Sequence, residues 1–233
     1  MIKRLVRLVT LAACVCLTAC TTSPTALLYS TAEPDARLLT LAEAYRLEGR
    51  YDQSRRILAS LRAIHPESKS VQLQTAALLE AQGDVQAAEA IYVELAPDDL
   101  DASLAFARLL HTSDRPADCI SRLSNAVDAV LYEGRVDALV LSARCLIQLV
   151  QFEAAQADLA TALRIQPNHV GAQFHQTRVF ALTGQFDRAE MGLSELARHG
   201  SLGRTELDRL QTEIAEIRGR FEILGAGFGT SGI

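Results

Sequence analysis

Five histidines are the residues of this chain whose chemistry could include metal binding or catalysis. They stand at positions His65, His111, His169, His175 and His199. His65 and His169 flank prolines, where polar loop residues are expected, and His169 and His175 are too far apart to share a helix face as ligands spaced i, i+4 do. No metalloprotease, P-loop, nucleophile-elbow or CxxC pattern occurs. The sequence therefore predicts no catalytic residue, no metal and no cofactor, and a protein that is not an enzyme.

The glycine-rich stretch near the C-terminus is the second candidate. Gly225, Gly227 and Gly229 superficially resemble a dinucleotide-binding loop. That fingerprint needs a strand before it and a helix after it, and no helix follows it in this sequence. We expect residues 220–233 to form a flexible tail.

The N-terminus has the pattern of an export signal. Lys3, Arg4 and Arg7 precede an apolar run over residues 8–19. About twelve apolar residues are too few for a stable membrane span, which favours a signal peptide over residues 1–19. Its end, LTAC at residues 17–20, resembles the bacterial lipobox, whose cysteine is lipidated and becomes the first residue. The alternative is an ordinary secretory signal in which Cys20 occurs by chance.

The lipobox resemblance implies a location for the protein. Thr21 rather than an aspartate follows Cys20, which implies lipid anchoring to the outer membrane of a Gram-negative bacterium, facing the periplasm. Residues 20–34 would then be the lipidated cysteine and a flexible tether. Without residues 1–19 the chain has 20 basic and 28 acidic side chains, a net charge of −8. This balance disfavours nucleic acid as a partner.

Residues 38–66 contain the unit from which most of the chain is built. Apolar or small residues fall on one face of each of two helices: Leu38, Leu41, Ala42 and Tyr45 on the first, and Ser54, Leu58 and Leu61 on the second. Gly49 stands where the first helix must end, and the small Ala42 and Ser54 allow the helices to approach closely. These spacings resemble the tetratricopeptide-repeat (TPR) pattern of about 34 residues.

Further copies of this unit follow along the chain. The five copies begin at Asp35, Lys69, Leu100, Val136 and Val170. The third is the most degenerate, with Pro116 opening its second helix. The resemblance implies an all-α TPR solenoid, a right-handed superhelix of about five repeats over residues 35–199. Residues 200–219 are expected to be a capping helix, with one apolar side made by Leu207, Leu210, Ile214 and Ile217.

Two cysteines, Cys119 and Cys145, remain in the repeats. In the TPR register Cys119 lies on the second helix of the third repeat and Cys145 on the first helix of the fourth, and these helices pack together. The pair could form a disulfide in an oxidising periplasm. Alternatively, both are small buried hydrophobic residues at alanine-like positions.

The TPR resemblance also implies a partner-binding groove lined by the first helices. The groove residues it indicates are Leu39, Glu43, Arg46, Leu73, Leu104, Arg108, Val140, Arg144, Phe174 and Arg178. An apolar row thus runs beside three arginines in register, at Arg108, Arg144 and Arg178. Arginine suits carboxylates, including a peptide C-terminus. The alternative is that these arginines pair with neighbours such as Asp101 and Asp137 on a solvated surface.

These features together predict a non-enzymatic adaptor that binds a protein or peptide in the cell envelope. In its lipobox, tether, repeats and capping helix the chain resembles the TPR lipoproteins of type IV and Tad-type pilus assembly. That resemblance implies a secretin or another pilus component as partner. The same architecture also fits an alternative function. In that case the protein would be a periplasmic scaffold for peptidoglycan enzymes or proteases, or a part of outer-membrane protein assembly.

Overall fold

The computed structural model describes residues 36–200 and 202–228, which form helices and turns and, within those ranges, no strand. Apart from the last, which has 25 residues, the helices are 11 to 14 residues long. In chain order the helices are α1 (Ala36–Leu47), α2 (Tyr51–Ile64), α3 (Lys69–Ala81), α4 (Val85–Leu95), a 3-10 turn (Ala96–Asp98), α5 (Leu100–Thr112), α6 (Pro116–Asp128), α7 (Arg135–Gln148), α8 (Phe152–Ile165), α9 (Val170–Leu182), α10 (Phe186–His199) and α11 (Arg204–Phe228). The all-α prediction is confirmed, and Pro116 is the first residue of its helix as expected.

The described residues divide into two compact units, of which the first ends at Asp84 and the second begins at Val85. In the first unit α1 packs against α2, and α3 packs against both. Its core consists of Ala42, Leu58 and Leu78. Ala42 and Ser54 are fully buried, so small residues do lie where the two helices of the first hairpin meet.

The second unit repeats one arrangement three times. Helices α5 and α6, α7 and α8, and α9 and α10 form hairpins, and each first helix also packs against the first helix of the next hairpin. One core cluster surrounds Leu139 and Leu159, and another contains Phe180, Leu196 and Leu210. Helix α11 covers α9 and α10 and buries Leu210, Ile214 and Ile217 as predicted.

A left-handed turn follows the first helix of each predicted repeat. The residues with positive φ at these turns are Gly49 (75°), Gly83 (84°), Asp114 (58°), Val150 (60°) and Gly184 (74°). At each turn the next residue donates its backbone N–H to a helical carbonyl five residues earlier, as Gln151 does to Leu146 at 2.9 Å. This is the hydrogen bond of a Schellman cap, in which glycine is the usual left-handed residue. Val150, a β-branched residue, therefore occupies the left-handed position that glycine usually takes in this cap.

The last helix is longer than the sequence predicts. It continues to Phe228, past the expected end at residue 219, so the prediction of a flexible tail is wrong for residues 220–228. Phe221 gives this extension a contact, because its ring packs edge-on against Phe186 at 5.5 Å. Residues 229–233 lie outside the described part of the chain.

Replacing Val150 by glycine should stabilise the protein. A side chain in the left-handed region costs about 1 kcal/mol or more, and Val150 is 68% exposed, so little packing is lost with it. The gain should be smaller for Asp114→Gly, because aspartate tolerates this conformation better than valine. Urea unfolding followed by circular dichroism would measure both.

The matched control for this prediction is Gly83→Ala, which creates the strain instead of removing it. No atom lies within 4 Å of the added Cβ, so the change tests backbone conformation alone. It should destabilise its unit by about 1 kcal/mol. A Val150→Gly variant less stable than the parent would contradict the account.

Candidate functional site

Three arginines lie on successive first helices of the second unit. Arg108 is on α5, Arg144 on α7 and Arg178 on α9, and α7 packs between the other two helices. Arg108 is exposed, whereas Arg144 and Arg178 are half-buried. Burial lowers the pKa of Arg144, and the positive charges of Arg108 and Arg178 lower it further. The structure therefore brings the three arginines onto one face, near enough for their charges to repel.

The acidic neighbours proposed for these arginines are engaged elsewhere. Asp101 accepts a 2.6 Å hydrogen bond from the hydroxyl of Tyr132, and Asp137 lies 3.5 Å from Nε2 of His169. Arg178 instead pairs with Glu213, its Nε donating to the carboxylate at 2.6 Å. Within residues 36–200 and 202–228, no carboxylate pairs with Arg108 or Arg144.

Two histidines with no predicted role, His111 and His175, belong to the same face. Nδ1 of His111 lies 2.8 Å from Oε1 of Gln148. Burial and then the charge of Arg144 lower the pKa of His111, while the hydrogen bond to Gln148 acts in the opposite direction. The signal was present in the sequence, because His111 stands three residues after Arg108 and therefore on the same side of its helix.

His175 is the more strongly perturbed of the two. Its pKa is lowered to about 4, first by burial and then by the charges of Arg144, Arg178 and His111. Its Nδ1 is buried without a hydrogen-bond partner, and its ring lies edge-on to Phe174 at 5.2 Å. His175 is three residues before Arg178, so the same helical spacing places it on this face.

The predicted apolar row is not an open surface. Leu104 is 8% exposed and Val140 is 9% exposed, so both are core residues. Phe174 is partly buried against the cluster that contains Phe180. On the first helices these three apolar side chains therefore pack between repeats. The face of α5, α7 and α9 is lined by the polar side chains of those helices.

The other four predicted groove residues lie in the first unit. Leu39 packs against the core of that unit, and Leu73 is half-buried. Arg46 pairs with Glu43 at 3.5 Å, while the Nε of Arg46 is buried without a hydrogen-bond partner. This arginine is therefore balanced by a carboxylate on its own helix.

Cys119 and Cys145 form a disulfide that joins α6 to α7. Their Cα atoms are 6.5 Å apart, within the range that a disulfide requires. Both residues are fully buried, and Cys145 directly follows Arg144. The structure thus decides between the two interpretations of this pair in favour of the bond.

Other candidate sites gain no support from the described residues. Residues 36–200 and 202–228 contain no cluster of histidine, cysteine and acidic side chains able to hold a metal ion. No helix in that part is long and apolar enough to cross a membrane. Cys20 and the predicted signal and tether lie outside the described residues.

Comparison with known proteins agrees with the repeat geometry. Residues 38–68 match the model of the tetratricopeptide repeat family. The fold is that of a TPR solenoid. A search of curated protein sequences found no significant match to the chain.

Solved structures extend the TPR likeness over most of the chain. PilF of Pseudomonas aeruginosa is similar with a TM-score of 0.66 and 18% identity, over 82% of this chain and 91% of PilF. PilW, described as a widely conserved type IV pilus biogenesis factor, is similar with a TM-score of 0.66 and 22% identity, over 83% of this chain and 93% of PilW. A thermophilic TPR protein of Thermus thermophilus has a TM-score of 0.62 and 15% identity, over 77% of this chain and 98% of the thermophilic one. At these identities the likeness establishes the shared TPR fold.

His175 should make the stability of the protein depend on pH. A histidine has a pKa near 6.5 in the unfolded chain, and the folded value of about 4 means that folding excludes a proton. The contribution of neutral His175 is complete above pH 6.5 and is lost as the pH falls towards 4. By pH 5 the free energy of unfolding should have dropped by about 2 kcal/mol from this residue.

Replacing His175 by leucine tests this linkage. Unfolding at pH 8 and pH 5 should show a smaller acid loss for His175→Leu than for the parent protein. His199→Leu is the control, because His199 is exposed at the end of α10. Equal acid losses for the parent and for His175→Leu would mean that His175 titrates as an ordinary histidine.

Proposed function

We propose that the protein is a non-enzymatic adaptor of the bacterial envelope, anchored to the outer membrane through a lipid on Cys20 and facing the periplasm. In this role it binds a protein component of a type IV or Tad-type pilus machine, such as a secretin, through the face of α5, α7 and α9. The TPR fold supports a protein-interaction adaptor in general terms. The pilus assignment draws on the structural likeness to PilF and PilW.

The observation that carries the proposal is the uncompensated basic face. Arg108 and Arg144 have no acidic partner among the described residues, and Arg144 is half-buried beside two other arginines. Holding these charges together costs stability even in a protein of net charge −5. An acidic partner would offset that repulsion, which is the charge complementarity of specific interfaces.

Two features support the proposed location in the cell envelope. The N-terminal sequence has the order of a lipoprotein signal, with a basic start, an apolar stretch and Cys20. The Cys119–Cys145 disulfide supports an oxidising compartment, because disulfides are rare in the bacterial cytoplasm.

Reversing the charge of Arg108, Arg144 and Arg178 to glutamate should abolish capture of the partner from cells. Chemical crosslinking before lysis, followed by affinity purification and mass spectrometry, would identify what is lost. The expected loss is at least tenfold, because each charge-assisted hydrogen bond contributes about 1.5–3 kcal/mol.

The matched control reverses three exposed arginines on other helices: Arg164, Arg198 and Arg220. It changes the net charge equally and should leave capture intact. A triple glutamine variant of Arg108, Arg144 and Arg178 serves if charge reversal unfolds the protein. Unchanged capture by a folded variant would reject the binding face. Capture of cell-wall enzymes or of outer-membrane assembly proteins instead of pilus components would reject the pilus assignment.

Replacing Cys20 by serine should remove the lipid. Metabolic labelling with a fatty acid should mark the parent protein and not Cys20→Ser. Labelling that persists in Cys20→Ser would contradict lipidation at this residue.

The compartment can be tested with the buried cysteines of the same protein. After denaturation, Cys119 and Cys145 should react with a maleimide only if a reductant is added first. A version lacking residues 1–20, retained in the cytoplasm, should react without reductant. Free thiols in the exported protein would argue against an oxidising location.

A further inference from the structure

The link between α6 and α7 departs from the repeat pattern. It contains six residues, 129–134, whereas the links from α2 to α3 and from α8 to α9 contain four each. The shorter links are polar and contain a proline, with the sequences HPES at 65–68 and QPNH at 166–169, but the longer one reads AVLYEG. Because four residues are enough to join one hairpin to the next, the connection itself does not require the two additional residues. Loops that a rigid scaffold positions are where binding residues concentrate.

Two aliphatic residues, Val130 and Leu131, form the apolar tip of this link. They are the central residues of a β-turn, which the N–H of Tyr132 closes by donating to the carbonyl of Ala129 at 3.0 Å. Glycine, proline, asparagine, aspartate and serine are the usual residues at such positions. Val130 is 72% exposed and Leu131 is 96% exposed. A single exposed aliphatic residue is ordinary on a protein surface, but two adjacent ones at the tip of a turn form a protruding apolar contact surface.

Tyr132 holds the link against the body of the second unit. Its hydroxyl donates to Asp101 of α5 at 2.6 Å, and its ring lies over Gly134, where an added Cβ would be 2.5 Å from the ring. A second turn follows the first, because the N–H of Arg135 donates to the carbonyl of Tyr132 at 3.1 Å. A loop that is already held in one conformation loses little conformational entropy when it binds. The apolar tip is therefore presented in a form that suits docking into a partner.

Carboxylates surround the apolar tip. Asp128 and Glu133 are exposed on either side of it, and in the part of the chain that the structure describes neither forms an ion pair. Burial raises the pKa of Tyr132, and its hydrogen bond and the nearby negative charges raise that pKa further; these charges belong to Asp99, Asp101 and Asp137. Such a negative surface repels anionic lipid and complements a partner whose basic side chains border an apolar pocket.

We propose that the apolar tip of the α6–α7 link is a protein-docking site. Val130 and Leu131 enter an apolar pocket of a partner protein, and basic side chains at the edge of that pocket pair with Asp128 and Glu133. Small apolar anchors that fill a pocket carry much of the affinity of protein interfaces, and the charges around them select the partner. This site goes beyond the proposed function, which concerns the basic face of α5, α7 and α9, and it does not depend on the pilus assignment.

Photocrosslinking from the apolar tip would test this docking site in cells that make the full-length protein. The photoreactive residue p-benzoylphenylalanine at position 130 should crosslink a second protein on illumination. The same residue at position 191 should not, although Met191 is also an exposed apolar residue of the second unit. Leu131→Ser should lower the yield from position 130 about tenfold, because burial of a leucine side chain contributes about that factor or more to affinity. Met191→Ser is the matched control and should leave the yield unchanged.

A synthetic copy of the link supplies a defined competitor. A peptide of residues 128–134, closed by a disulfide between cysteines added at its two ends, should displace the partner from position 130 in envelope extracts. Its half-inhibitory concentration should be about tenfold lower than that of the peptide carrying Leu131→Ser. In the protein, Asp128→Lys with Glu133→Lys should also reduce the crosslink. The charge-matched control is Glu195→Lys with Glu222→Lys, at exposed positions on other helices.

Each outcome of these experiments decides the proposal. A crosslinked protein that the peptide displaces, and that Leu131→Ser and the charge reversals release, supports it. A yield at position 130 no higher than at position 191 overturns it, as does a crosslink to lipid, to a second copy of this chain or to a protein that the peptide does not displace. A crosslink that survives both charge reversals overturns the basic border of the pocket. The substitutions at Arg108, Arg144 and Arg178 test the basic face separately, so the failure of one site leaves the other standing.

Discussion

The left-handed turn between paired helices is the constraint from which the rest of the second unit follows. It reverses the chain within a few residues, so that each second helix packs back along the first. Because Asp114, Val150 and Gly184 make the same turn, the hairpins repeat with one geometry. Their first helices then lie side by side, and residues about one repeat apart in sequence become neighbours. Arg108, Arg144 and Arg178 share a face for this reason.

The electrostatics of that face result from how the repeats stack. A basic side chain on one helix would simply be solvated, but stacking sets three in a row and partly buries the middle one. Helix α11 supplies Glu213, whose carboxylate pairs with Arg178 and so reduces the repulsion at one end of the row of arginines. The remaining charges polarise the two histidines, and His175 is kept neutral over the physiological pH range. The scaffold therefore determines the protonation of the site as well as its shape.

Much of the fold could be predicted because the repeat pattern is local. The helices, the burial of Ala42 and Ser54, and the role of Pro116 follow from spacing within one hairpin. The apolar side of α11, with Leu210, Ile214 and Ile217, follows from the same periodicity. The alignment of the three arginines follows from the repeat length, so the central residues of the site were also predictable.

The rest depends on contacts between segments that spacing does not specify. The pairing of Arg178 with Glu213 requires knowing how α11 returns over α9. Leu104 and Val140 were expected to line a groove, but the first helices turn them into the core, because neighbouring repeats are packed closely enough to bury them. Helix α11 continues through a glycine-rich sequence that predicts a tail, and Phe221 packs against Phe186 of another helix. His111 and His175 differ from these cases, because their helical spacing from Arg108 and Arg178 is enough to place both on the arginine face.

The Cys119–Cys145 bond has a consequence for how a stacked array comes apart. Repeat proteins lose order from their ends, because a terminal repeat has a neighbour on one side only. This bond ties the second helix of one hairpin to the first helix of the next. Because the bond lowers the entropy of any state in which α6 and α7 have separated, it opposes fraying that starts at α11 before that fraying reaches α6. It therefore couples the unfolding of the two hairpins that it joins, and these hairpins contain the arginines at 108 and 144.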